Sequence, residues 1–593
     1  MKKILPFALA PLSLLIAAQA CADDQDARSL DPVVVTASRV AQPASAVIPA
    51  TTVITREQIE QSPGRDVGDL LRSYAGLQVA RLGGPGQQTS IFTRGTNSDH
   101  TLVMIDGTPI TDGVTGQSFI QNLPLEQIER IEVVKGPMSS LYGSEAIGGV
   151  INIISRQATG TSGSLRLTAG NHGLREAALT QHLASQNSGL AISAEGLNYD
   201  GDSILTGSNL ERGYERRSLQ LNGYHRIGDL KLTALYRNTK GTTEYFDFGT
   251  PADQDTNQTL KQVGVEWNGK GPYSTRLLLS ENIEEIEQNQ SANFVRTERR
   301  AIDWQHNYVA GNNTLTAGAT YTRQRIENLV APWTDYEDSP DTRALYLQNA
   351  WQSGKWSVVA AGRAEHDDRY GNYQTGNLGG SYAISAQQKL YVSAGTAFHA
   401  PDGMDLSSSG GLPLDPERSR SFELGTKFAS TDTQWDLAVF QNDIKDLING
   451  WPAVNIAKAR IQGVEASLRQ RVGTFTVYGN ASYLRPIDKT TDEDLSRRPR
   501  RNATIGIEQQ HGAWRSFAEV VARSRSDNTA FDNAKLPGFA TVNLGTRFQL
   551  SRAVSLGLAA ENLLDKEYGY GITGGQTYLA QPRQVKATVV INY

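Results

Sequence analysis

Cysteine is almost absent: one residue, Cys21, stands with four methionines and eight scattered histidines in a chain of 593 residues. That excludes a disulfide framework and a zinc site of the usual Cys/His spacing. A basic excess is missing too. Lys and Arg total 57 against 62 Asp and Glu, a net charge of -5, so nothing is available to neutralise nucleic-acid phosphates and no nucleic acid is expected as a partner. Beyond residue 22 no run of 18 apolar residues occurs, which excludes a helical inner-membrane transporter. No Ser-His-Asp, zinc or phosphate-loop arrangement emerges, and the chain is not expected to be an enzyme.

What is present is glycine and tyrosine, 56 and 22 residues, with a mean hydropathy of -0.40. This is the composition of a turn-rich β protein. Lys2 and Lys3 precede an apolar run over 4–18, small residues at 20–22 and then Asp23-Asp24. The pattern predicts a signal peptide over 1–22. Cleavage there removes the only cysteine and leaves 55 Lys and Arg against 62 Asp and Glu, or -7.

Two regions follow with different periodicities. Residues 38–157 mix helix and strand signals. Thr55-Arg56-Glu57-Gln58 fits a capping box ahead of Ile59, stopped by Pro63-Gly64. Residues 66–74 read as a second short helix, 101–105 as a strand entering a turn at Asp106-Gly107, and 128–134 and 150–154 as further strands. From 158 to 593 the chain reads as strands, turns and polar loops. Phe475, Val477, Gly479, Ala481 and Tyr483 alternate with Thr476, Tyr478, Asn480 and Ser482, and similar period-2 runs lie at 165–169, 230–236, 390–398 and 585–593. Alternation alone fits either a soluble sandwich or an outer-membrane barrel. The last run places Val585, Ala587, Val589, Ile591 and Tyr593 on one face, ending on an aromatic suited to an interfacial girdle. At about 10 residues per strand plus connections, 20 or more strands fit, and a barrel that wide has a lumen needing a plug.

Four segments carry a resemblance in order: SIFTRGTN at 90–97, VMIDG at 103–107, IERIEVVKGP at 128–137 and LYGSEAIGGVINII at 141–154, with AENLLDKEY at 560–568 near the end. They resemble the TonB-dependent outer-membrane receptors, and Asp31, Pro32, Val33, Val34, Val35, Thr36 and Ala37 resemble the Ton box. Within that superfamily GQQTS at 86–90, RGTN at 94–97, GVTG at 113–116, NDIKDLI at 442–448, AKARIQGVE at 457–465 and LDPE at 414–417 are most similar to the BtuB-type cobalamin (vitamin B12) receptors.

The resemblance implies a monomeric all-β transmembrane barrel of 22 antiparallel strands in the outer-membrane lipid, with the α+β plug inside it. It also implies uptake of cobalamin or another corrinoid by extracellular binding and plug rearrangement when TonB, with its inner-membrane energising complex, pulls on 31–37. An extended Ton box suits pairing with a partner's sheet edge. Corrinoid contacts carry over to Gln88, Ser90, Asn97, Val114 and Thr115 on the plug, and to Arg497, Asn293 and Phe531 on the barrel. Gly83, Gly84, Gly86 and Gly116 are expected to allow close backbone approach. Arg94 and Arg130 are expected in buried ion pairs between plug and barrel. Calcium in extracellular loops is implied for Asp202, Tyr245, Asp247 and Asp255, although Leu210 and Arg212 stand where the family has aspartates, and an Arg disfavours a cation. Three alternatives stay open. FHAP at 398–401 resembles a box of haem receptors, with His399 as a possible axial ligand; a siderophore receptor is the second; a passive pore or adhesin is the third.

Overall fold

The computed structural model describes residues 34–35, 39, 42–43 and 47–593, apart from 75, 248, 292, 330–334, 450–451 and 530–533. The signal peptide, most of the Ton box (Asp31, Pro32, Val33, Thr36, Ala37) and Phe531 lie outside the described residues. Period-2 patterning resolves into a closed antiparallel barrel of 22 strands, from Ser162–Gly170 to Gln584–Asn592, with the short Tyr336–Asp338 as an extra rung and the first and last strands paired. Closure leaves no free sheet edge, which backbone in a lipid environment requires.

The outward residues are apolar. Leu345, Ile505, Val263 and Leu558 are all exposed, as are Phe475, Val477 and Tyr483 on the face read from the sequence. On strand Phe475–Asp488 the alternate positions Ser482 and Leu484 are buried toward the lumen. One end of the barrel has turns of two to four residues, such as 228–229 and 512–513, whereas the other carries loops as long as 562–583. Short turns mark the periplasmic rim. Paired aromatics ring that rim: Tyr273 with Tyr308 (4.7 Å between centroids), Trp356 with Tyr382 (4.7 Å) and Trp514 with Phe548 (4.6 Å). Such belts sit at the lipid–water boundary. No helix is long and apolar enough to cross a membrane among the described residues.

The plug is built on a five-stranded mixed sheet in the order Thr51–Ile54, Ile128–Lys135, Gly149–Ser155, Thr101–Ile105 and Thr108–Pro109. Helix α1 (Arg56–Gln61) starts at Thr55 with the expected capping box, Thr55 Oγ1 accepting from Gln58 N and Gln58 Oε1 from Thr55 N. Helix α2 (Val67–Leu71) is shorter than the 66–74 read from the pattern; Asp66 caps it, and Arg72 N bonds back to Leu70 O in a closing turn. Asp106 and Gly107 both have positive φ (49° and 87°), the two-residue turn expected of that pair. The plug core joins Ile59, Val67, Leu70, Val103, Ile131 and Ile151, and it reaches Leu235 and Leu260 of the barrel wall.

Candidate functional site

A hairpin of Leu77–Arg81 and Thr89–Thr93 carries Gln88 and Ser90 to the extracellular side of the plug. It is fixed from below by Arg81, whose buried guanidinium donates to Asp66 Oδ1 (2.6 Å), Asp69 Oδ1 (2.8 Å) and Thr89 Oγ1 (2.9 Å). Burial pushes the Asp66 carboxyl up; it opposes ionisation of Asp69 as well, but Arg81, Arg65 and Arg72 together hold Asp69 below the usual carboxylate range. A buried cation with two carboxylates and a hydroxyl is a rigid support, because removing either partner strands a charge.

Above this support three plug segments meet. Ser90 Oγ and Ser98 Oγ both donate to Gln117 Oε1, at 3.1 and 3.3 Å. The turn 112–117 closes on Asp112, whose Oδ2 accepts from Thr115 N and Thr115 Oγ1, both at 2.9 Å. Asn97 Oδ1 accepts from Arg498 Nη2 at 2.5 Å, and Arg498 Nε also donates to Gly95 O. Gln88 is exposed, while Ser90, Asn97 and Thr115 are half-buried. Ser90 and Thr115 thus meet at Gln117, Asn97 is held beside them by Arg498, and Gln88 stands exposed on the loop of the hairpin. Gln117 and Arg498, which make these contacts, were missed; Arg498 adjoins the Arg497 that the resemblance marked, so the signal lay one residue away.

Val114 is only 1% exposed. A short helix, α3 (Gly403–Ser408), in the long loop 400–416, covers it: Gly403 N donates to Gly113 O (3.0 Å) and Met404 N to Val114 O (2.6 Å). The loop is therefore seated on the plug apex. Burial, then Asp405 and Asp99, raises the Asp402 carboxyl well above its ordinary value; burial and Asp99 push Asp405 up to about 7.

The barrel residues distribute differently. Arg497 lies at the outer end of the wall, its N bonded to Asp527 O at 2.7 Å. Asn293 is turned into its own loop, its Nδ2 donating to Gln288 Oε1 at 2.5 Å. Gly86 and Gly116 serve packing within the protein: a Cβ on Gly86 would run into the Tyr214 ring, and one on Gly116 would meet Asp99 Cβ at 2.7 Å. Arg94 does bridge plug and barrel, with Glu423 at 2.8 Å and Glu465 at 3.3 Å. Arg130 does not; it pairs with Glu132 (2.8 Å) on its own plug strand, where the strand's period of two puts both side chains on one face. His399 is 2% exposed, beneath the loop, its Nε2 3.4 Å from Asp99 Oδ2 and its ring edge-on to His100.

The candidate calcium residues are not gathered into one group. Asp202 is buried with Tyr199, His172 and Gln584. Tyr245, Asp247 and Asp255 lie on the hairpin formed by Leu230–Asp247 and Thr250–Asn268, with Asp255 accepting from Thr242 Oγ1 at 2.6 Å. Among the described residues no group of three or more His, Cys, Asp or Glu is placed to hold a metal ion.

Val34 and Val35 are extended and pair antiparallel with Pro43 and Gln42, so the chain doubles back on itself. Between them Arg39 is driven into the lumen, over the rings of Tyr142 and Tyr346.

A 22-strand barrel filled by a plug, with a polar plug apex beneath extracellular loops, defines an outer-membrane transporter. The chain belongs to the TonB-dependent receptors: residues 157–563 match the family described as TonB dependent receptor-like, beta-barrel, and residues 43–150 the TonB-dependent receptor plug domain. It is 29% identical to the vitamin B12 transporter BtuB of Photobacterium profundum, over the full length of both chains. It is 29% identical to that of Vibrio vulnificus, covering 98% of this chain and 97% of the relative. A solved structure of the ferric enterobactin receptor PfeA of Pseudomonas aeruginosa shares the fold, with a TM-score of 0.80 and 18% identity over 95% of this chain and all of that one.

Proposed function

We propose that this TonB-dependent transporter takes up cobalamin. The observation that carries the reading is the full-length match to two vitamin B12 transporters, with no part of either chain left over in the first. The plug apex supports it: Gln88, Ser90, Asn97 and Thr115 offer amide and hydroxyl groups suited to a ligand fringed with amides. Val114 joins that surface once α3 lifts away. Arg497, Asn293 and Phe531 are the proposed barrel contacts, and Tyr245, Asp247 and Asp255 the proposed hard-oxygen ligands for calcium. TonB pairs with 31–37 by strand addition.

The test is a binding titration of purified receptor with cyanocobalamin, haem and ferric enterobactin, each with and without calcium. Saturable binding of cyanocobalamin alone is expected. Saturable binding of haem or of the siderophore, with none of cyanocobalamin, replaces the reading by one of its rivals.

A further inference from the structure

Three unfilled spaces lie between the plug and one stretch of barrel wall, stacked by height. The lowest, about 960 Å³ (this and the two volumes that follow include space open to solvent), is bordered by Arg515, Phe517, Thr546, Arg547 and Gly557. The next, about 500 Å³, meets the same three strands higher up, at Glu519, Val521, Thr541, Asn543 and Glu561. The third, about 380 Å³, meets two of them at their outer ends, at Arg523 and Phe539. Trp514–Arg523 and Val554–Glu561 climb from periplasmic turns and Phe539–Gln549 descends to one, so these residues trace one seam from rim to rim. Ser62 and Gly64, between α1 and α2, border both lower spaces.

The attachment of the plug is not uniform around the wall. Apolar clusters join the plug to Leu235 and Leu260, to Tyr346, and to Phe440, Ile461 and Leu484. Among the described residues no such cluster joins it to the strands from Arg501–His511 to Gln584–Asn592, nor, past the closure, to those from Ser162–Gly170 to Glu211–Ile227. The seam is spanned by polar reaches instead: Arg547 Nη2 to Glu60 O (2.7 Å), Arg523 Nη1 to Val79 O (2.6 Å), Lys586 Nζ to Pro63 O, and Ser73 Oγ to Glu519 Oε1 (3.0 Å). Water can take over each of these polar contacts, whereas exposing the apolar clusters has no such substitute.

We infer that solute crosses along this seam, the plug swinging away from strands Trp514–Arg523, Phe539–Gln549 and Val554–Glu561 while its apolar contacts hold it to the far wall. Phe539 stacked on Tyr568 (3.9 Å), with Tyr570 edge-on to both, stands between the upper and middle spaces and forms the outer constriction. The route rests on the transporter reading and, for its cargo probe only, on cobalamin.

The experiment tethers the plug with a reducible bifunctional thiol reagent. The seam pair is Ser73→Cys with Glu519→Cys; the far-wall pair is Glu145→Cys with Arg299→Cys, at an ion pair of 2.9 Å. With cyanocobalamin as probe, both tethered receptors bind at the cell surface, but uptake falls about tenfold or more only in the seam pair and returns on reduction. A second variant, Gly557→Trp, fills the lowest space; an added Cβ there meets nothing nearer than Thr588 Cβ at 3.7 Å, and uptake falls with binding unchanged. Absence of cyanocobalamin binding by untethered receptor retires the cargo and leaves the route to a cargo-free readout, ion conductance of the same two proteins in planar bilayers under rising urea. There the seam tether delays opening and the far tether does not. Equal uptake or equal opening in the two tethered proteins overturns the route.

Discussion

Arg39 Nη1 lies 2.6 Å from Asp303 Oδ2, joining the amino-terminal segment to the inner face of strand Phe294–Ala310. The same guanidinium donates to Leu141 O at 3.0 Å and to Tyr346 OH at 3.0 Å. Tail, plug and barrel thus meet at one side chain. Arg39→Ala removes three hydrogen bonds and leaves Asp303 without its cation, a local loss of about 1–3 kcal/mol. Exchange of the Val34 and Val35 amides is expected to accelerate, and binding at the extracellular face to stay unchanged. Unaltered exchange in the variant means that Arg39 does not restrain the tail.

Arg94 tests how the plug is held. Its guanidinium sits between Glu423 and Glu465 and 4.1 Å from the Phe440 ring centroid, fully inside the protein. Glu423 also accepts from Ala50 N and Tyr391 OH, and Glu465 from Lys135 Nζ at 3.2 Å. Arg94→Ala therefore strands two buried carboxylates with partial compensation, and a loss of about 3 kcal/mol is expected at the plug–barrel contact. Urea titration followed by proteolysis of the plug should show a lower midpoint for Arg94→Ala than for Arg130→Ala, which breaks only a pair on one plug strand. Equal midpoints would contradict the assignment.

That comparison shows what could be read in advance. Local chemistry was legible: Thr55 with Gln58, Asp106 with Gly107, and the alternation along 475–483 each act within a few residues, and each forms the element expected. Ser90, Asn97 and Thr115, which the resemblance marks, lie around Gln117 and Arg498, two residues that it does not mark. Contacts that join distant parts of the chain were not legible. Arg498 meets Asn97 across 401 positions of sequence, and nothing near either residue signals it. Arg130 was misread because an arginine's partner depends on which face of its strand it occupies. Gly86 packs against the ring of Tyr214 on a barrel strand, another contact that nothing near either residue signals. The seam was invisible, because empty space has no sequence pattern.

The docked loop is expected to respond to pH. Burial, reinforced by Asp99 and Glu417 and opposed by His399, raises Asp405 to about 7, and Asp402 moves in the same direction. The docked state therefore prefers the protonated carboxyls. Their stabilising contribution is complete below the ordinary carboxyl value, about 4, and is lost as pH rises through about 7. Hydrogen exchange over 403–408, corrected for intrinsic rate, should be slower at pH 5 than at pH 8, and Asp405→Asn should flatten the difference. Faster corrected exchange at pH 5 would reverse the sign and remove the argument.

Arg498 offers the sharpest test of the apex. Burial lowers its pKa to about 10, with Arg497 acting in the same direction, yet it stays charged at neutral pH and orients Asn97 while lying 4.7 Å from the Phe92 ring centroid. Lysine cannot reproduce a guanidinium that spans Gly95 O and Asn97 Oδ1. Both Arg498→Ala and Arg498→Lys should therefore weaken cyanocobalamin binding about tenfold, equivalent to roughly 1.4 kcal/mol, as should Asn97→Ala. Because arginine and asparagine act through one contact, the double variant Asn97→Ala with Arg498→Ala should lose no more than either single change. Calorimetric titration of the four proteins decides it: additive losses would mean that Arg498 meets the ligand itself, and full affinity in Arg498→Lys would mean that charge alone is required.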